Sequence, residues 1–299
     1  MPRPGRIGSF ASLALACALA WTPAHAADGD KQAKAEADAR SFIESSHVVA
    51  PEQVGDFLLE ANSYDEKNKF AGAGFRYALK DHQELRVDVY VYPSGRAPQE
   101  QAIASGMVEF KDGIQQAQQA GMYRDLETLS QGDFPLEAPT EPAEPATAGS
   151  AQDAKLLKAI ASTKTVGKRL RMRNTMANGG FPMFSNGYLF HRQLYFFKVR
   201  VSASRDRIDQ AQFDALADRA ARTLVPAIEV ANIGGCANAE IVIDINAKPD
   251  EAGEILVRRA AEIQGENCFG DTDGAKLEEK SKNARVVRID FSANDWKAR

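Results

Sequence analysis

The chain is poor in the residues that usually announce chemistry. Among 299 residues there are three cysteines, four histidines and two tryptophans. There is no G-x-S-x-G, no phosphate-binding P-loop and no H-E-x-x-H, which removes the best-marked hydrolase, nucleotidase and zinc-protease readings. Gly234-Gly235 lacks the spacing of a dinucleotide loop. Asp271-Thr272-Asp273-Gly274 resembles a calcium loop only superficially: with Gly274 at the sixth position, Phe269 and Lys280 would occupy the first and last ligand positions, and neither can ligate calcium. No metal site or cofactor is expected. His82 and His191 fall at apparent hairpin turns, where solvated side chains are the ordinary outcome. No apolar run reaches the roughly 20 residues a spanning helix needs.

What is present begins with an N-terminus patterned like a secretory leader. Arg3 and Arg6 precede an apolar run from Phe10 to Trp21, and Ala24-His25-Ala26 has the small-x-small form of a cleavage site. Residues 1–26 are therefore expected to be a signal peptide cleaved after Ala26, and the protein periplasmic. Cys17 leaves lipidation open, although Ala14, Leu15 and Ala16 fit a lipid-attachment pattern poorly. The leader carries two arginines and no acid, so its removal takes the net charge from −4 to −6. A mildly acidic protein is poorly suited to nucleic acid. Cys236 and Cys268 then remain, an even pair read as a disulfide in an oxidising compartment. In the chain-entropy model it contributes roughly 3 to 4 kcal/mol.

With 44% hydrophobic and 26% charged residues, the chain can bury a sizeable core. Two stretches share one design. In residues 75–93, Leu85, Val87, Val89 and Val91 alternate with Arg86, Asp88, Tyr90 and Tyr92. In residues 187–203, Tyr195, Phe197, Val199 and Val201 alternate with Phe196, Lys198 and Arg200. A period of two with aromatic and β-branched residues marks strands. A helical period follows each stretch: Ile103, Met107, Phe110 and Ile114 in the first, Phe213, Leu216, Ala220 and Leu224 in the second.

The fold class expected is α+β: an antiparallel sheet built from two hairpin–helix units with helices packed on it, plus a small disulfide-linked C-terminal β-α-β region. Residues 27–52 read as a polar lead-in and 53–230 as the main domain. Within it, 133–150 is a proline-rich loop, Ala154–Ser162 a short helix and 167–176 a strand. Residues 231–299 read either as a subdomain or as an extension of the sheet. Their elements are a strand at Glu240–Ile245, a helix capped by Asp250 and a strand at Ala284–Phe291.

The order of strands, long loop, hairpin and helix, carried by FRYALKDHQELRVDVYVYP and GYLFHRQLYFFKVRVSA, resembles the PsbP-like α/β/α sandwich over residues 53–230. The resemblance implies a non-enzymatic binding or assembly fold and assigns no residue a role.

The residues singled out for binding are basic. Arg169, Arg171 and Arg173 alternate along one strand, and the polar faces of the others add Lys198, Arg200, Arg86 and Arg76. If those strands are neighbours, one sheet face is basic and suits an anionic envelope component or an acidic protein. The bland alternative is a solvated face. The sequence thus points to a secreted, non-catalytic binding or assembly protein. A hydrolase-like periplasmic enzyme with a scattered site, or an inhibitor or immunity-like protein, stands as the alternative.

Overall fold

The computed structural model describes residues 40–137 and 165–296. The expected leader, Cys17, the expected helix at Ala154–Ser162 and most of the proline-rich stretch lie outside them.

Two sheets carry the fold. The larger holds eight strands: β2 (Gln53–Val54), β3 (Phe57–Tyr64), β4 (Ala73–Leu79), β5 (Arg86–Pro93), β6 (Tyr123–Pro135), β7 (Val166–Met176), β8 (Pro182–Arg192) and β9 (Tyr195–Ser204). Their spatial order is β2-β3-β4-β5-β9-β8-β7-β6, antiparallel throughout. The two hairpins β4–β5 and β8–β9 meet at the centre, where Val89 faces Val199 and Tyr90 faces Lys198. Helix α1 (Gln99–Gln119) follows the first hairpin and α2 (Gln210–Ala227) the second.

The helices take opposite faces of this sheet. α1 sets Ile103, Met107 and Phe110 against Leu170, Met172, Leu189 and Phe196. The approach is close: a Cβ on Gly187 would lie 2.4 Å from the Phe110 ring, and one on Gly106 would lie 2.8 Å from Leu189 and Phe196. Those two positions accept only glycine without rearrangement. α2 sets Phe213, Ala217, Ala221 and Leu224 into the main core on the other face, with Tyr188, Phe197, Val199 and Val201. Asp209 caps it by accepting from Gln212 N at 2.9 Å, and the helix ends one residue after Pro226.

The smaller sheet joins the two ends of the chain. β1 (Ser45–Pro51) lies between β10 (Glu229–Ile233) and β12 (Ala284–Asp290), with β11 (Cys268–Phe269) beyond β10. Six of the seven β1 residues are buried, so the stretch read as the end of a polar lead-in is a central strand. β10 and β11 run parallel, connected through α3 (Pro249–Glu266) and tied by the Cys236–Cys268 disulfide. This is the β-α-β region, but its first strand is Glu229–Ile233. Glu240–Ile245 forms no strand, and α3 starts after Lys248 with Pro249 in its first turn, not at Asp250. One face of the small sheet shares the main core through Val48, Ala50, Val287 and Ile289. The other is covered by Ala275 and by Leu277 of α4 (Leu277–Lys280).

The β8–β9 turn links the two sheets. Gln193 and Leu194 both have positive φ, 54° and 67°, as a two-residue hairpin turn requires. Neither is glycine, and hydrogen bonds hold the strained tip. Gln193 N donates to Gly265 O, its side-chain oxygen accepts from Val230 N, and its carbonyl accepts from the Asn232 amide group.

Candidate anion-binding sites

The basic residues do not share a face. In antiparallel pairs, residues directly opposite point the same way. Arg169 faces Tyr188, which faces Val199. The row Arg169, Arg171, Arg173 is therefore on the α2 side of the sheet. Arg200 faces Gly187 and Asp88, and Asp88 faces Arg76. That puts Lys198, Arg200, Arg86 and Arg76 on the α1 side. A single basic face does not exist, because the register between β9, β8 and β7 sends the two sets apart.

Each set is also largely satisfied. Arg169 donates to Asp218 at 2.7 Å, Arg171 lies 3.5 Å from Asp214, and Arg173 pairs with Glu127 at 2.6 Å. The two aspartates sit one turn apart on α2, where i, i+4 spacing presents them together. Tyr188 and Asn186 donate to the same two carboxylates, and burial raises the Tyr188 pKa. On the other face, Asp88 accepts from Arg76 at 2.9 Å and from Arg86 at 2.6 Å. Lys198 lies beneath α1 between Tyr90, Tyr92 and Phe110, 5.1 to 5.4 Å from their ring centres. Burial, with Arg200 nearby, lowers its pKa. Arg200 donates to the Tyr123 hydroxyl at 3.1 Å.

Two other arginines differ. Arg192, at the end of β8, and Arg222, one helical turn beyond Asp218, line an open pocket of about 580 Å³ with Leu136, Glu137, Thr165 and Pro226. Neither has a carboxylate within ion-pair distance among the described residues. Arg192 donates to Val225 O at 2.6 Å and lies 5.4 Å from the Phe197 ring; burial lowers its pKa. Arg222 lies 4.2 Å from the Phe134 ring, and its buried Nε, like that of Arg171, has no hydrogen-bond partner among the described residues. Sequence reasoning passes over both. Arg222 carries a signal, since it continues the Asp214, Asp218 stripe of α2.

A second pocket, of about 490 Å³, is lined by Tyr64, Glu66, Lys69, Phe70, Arg288 and Asp290. Both of these basic residues have carboxylate partners: Lys69 pairs with Asp295 at 2.6 Å and Arg288 with Asp290 at 2.8 Å.

The histidines among the described residues assemble no site. His82 contacts Glu84 at 2.9 Å. His191 is not a solvated turn residue; it packs on Phe196 with Nε2 3.1 Å from Gly95 O, and burial lowers its pKa. His47 is buried on β1, 3.5 Å from the Ser45 hydroxyl, and no carboxylate hydrogen-bonds its other ring nitrogen among the described residues. No group of three or more metal-binding side chains occurs among the described residues. Asp271 accepts from Gly274 N, so the acidic turn closes on itself. No helix among the described residues is long and apolar enough to cross a membrane.

No protein-family model matches the chain, and no curated protein matches it. Among solved structures, a mutant of the protein Mog1 is similar over 52% of this chain and 78% of its own, with 7% identity and a TM-score of 0.28. A likeness that slight says nothing of this chain's activity or partners.

Proposed function

We propose that this chain is a secreted, non-catalytic binding or assembly protein of the bacterial envelope that holds an anionic ligand, or an acidic segment of a partner, between Arg192 and Arg222. One observation carries the reading. These two arginines line an open pocket that Glu137 also lines, and neither has a carboxylate within ion-pair distance among the described residues, whereas Arg169, Arg171, Arg173, Arg76 and Arg86 each have one. A guanidinium offers a planar fork of donors matched to carboxylate or phosphate, and partial burial weakens screening by salt. The leader pattern of residues 1–26 supports export, and the disulfide is at home in an oxidising compartment. The PsbP-like resemblance belongs to the same proposal and points toward binding or assembly.

The test is calorimetric titration at low salt with inorganic pyrophosphate and with a short polyglutamate peptide. The double variant Arg192→Ser/Arg222→Ser is expected to lose at least about tenfold in affinity for whichever probe binds. The triple variant Arg169→Ser/Arg171→Ser/Arg173→Ser should bind as the unaltered protein does. Binding of neither probe, or the opposite ranking of the variants, overturns the reading.

A further inference from the structure

Residues Glu240–Ile245, EIVIDI, have a strand's composition without a strand's pairing. Apart from two acids, every side chain is β-branched and apolar. Yet the segment forms no regular structure. From Glu240 to Ile243 the backbone amides and carbonyls make no hydrogen bond to any described residue. Val242 is 82% exposed and Ile245 96% exposed. Unpaired backbone groups in a β-prone, apolar stretch form a template for another strand. The stretch is also tethered. Cys236 ahead of it is buried and disulfide-bonded, and Asp244 closes a turn behind it by accepting from Asn246 N at 2.8 Å. Part of the ordering entropy of strand addition is thereby already spent.

We infer that Glu240–Ile245 is a strand-addition site for an extended segment of another protein in which basic and apolar side chains alternate. Charge selects this occupant. Residues 239–254 contain Glu240, Asp244, Asp250, Glu251 and Glu254 against Lys248 alone. In a strand, Glu240, Val242 and Asp244 share one face, and Ile241, Ile243 and Ile245 the other. A partner therefore places basic side chains against the acids and apolar ones against the isoleucines. A second copy of this chain would bring the same acidic surround, and like charges across a strand pair are destabilising. The acidic field also draws in a basic segment. The surface is separate from the Arg192 and Arg222 pocket and has the opposite charge preference.

The probe is a fluorescent decapeptide of alternating lysine and valine, titrated by anisotropy into the disulfide-intact full chain. Saturable binding that weakens with rising salt is expected, with no binding of the matching glutamate–valine peptide. Ile243→Pro removes a backbone donor at an exposed position and should weaken binding at least about tenfold, with an unchanged thermal melt. Glu240→Lys should weaken binding and flatten its salt dependence. Arg192→Ser/Arg222→Ser should leave the peptide affinity unchanged, so failure here is distinguishable from failure of the anion pocket. The inference is overturned if Ile243→Pro binds the lysine–valine peptide as tightly as the unaltered chain. It is equally overturned if both peptides bind alike, or if sedimentation shows a dimer that Ile243→Pro dissociates, since a second copy is then the occupant.

Discussion

Helices α2 and α3 are the same length, 18 residues, and both show apolar periodicity, yet they are held in different ways. α2 buries Phe213, Ala217, Ala220, Ala221, Leu224 and Val225. On α3 only Glu266 is buried. α2 lies on a sheet face already lined by Tyr188, Phe197 and Val199. α3 is anchored at its last turn. There Glu266 accepts from Arg96 Nε and Nη2 at 2.6 and 2.7 Å, and Gly265 O accepts from Gln193 N. Arg96 in turn lies 4.6 Å from the Phe42 ring. A helical period says which residues share a stripe; whether the stripe is buried depends on what the rest of the fold presents to it. α2 is fastened by area and α3 by its end.

The sharpest test of that contrast is Phe213→Ala. Phe213 is 1% exposed and stacks on Phe184 with ring centres 5.4 Å apart. Removing the ring should cost about 3 to 5 kcal/mol of global stability in denaturant unfolding. A loss under about 1 kcal/mol would mean that α2 does not fasten the core.

The parts of the fold readable from sequence are those whose signal is local. Tyr195 to Val201 alternate within one strand, and Ile103 to Ile114 repeat within one helix, so the two hairpin–helix units are legible in the residues alone. The disulfide follows from counting cysteines once the expected leader is set aside. β1 escapes such a reading because SHVVAP is a short apolar run in polar surroundings, and periodicity cannot assign a strand buried on both faces. The basic residues mislead for another reason. Alternation shows that Arg169, Arg171 and Arg173 share a side of β7, but only inter-strand register shows that this side is opposite to that of Lys198 and Arg200. Nor can any local pattern join Arg96 to Glu266, 170 residues away.

The second test loosens the end of α3. Glu266→Gln keeps the shape and removes the charge. Burial of the carboxylate argues for a sizeable loss, but the Arg96 side chain is 48% exposed, so solvent screening discounts it to about 1 to 2 kcal/mol. The effect should be local. Hydrogen exchange should accelerate over residues 249–266 and stay unchanged over 210–227. Equal acceleration in both helices would show that they form one cooperative unit and would dissolve the contrast.

The smallest expected effect is the most discriminating. Leu256 on α3 is 47% exposed, whereas Leu224 on α2 is 0% exposed. The same change at each, leucine to serine, removes the same side chain from helices of equal length. Intrinsic helix propensity therefore cancels between them. At Leu224 the change leaves a cavity and buries a hydroxyl, and several kcal/mol should be lost, about 2 to 5 for the truncation alone. At Leu256 the stability should move by no more than about 0.5 kcal/mol. If Leu256→Ser instead costs more than about 1 kcal/mol, α3 buries its apolar stripe in solution. The contrast between a helix fastened by area and one fastened by its end would then fail.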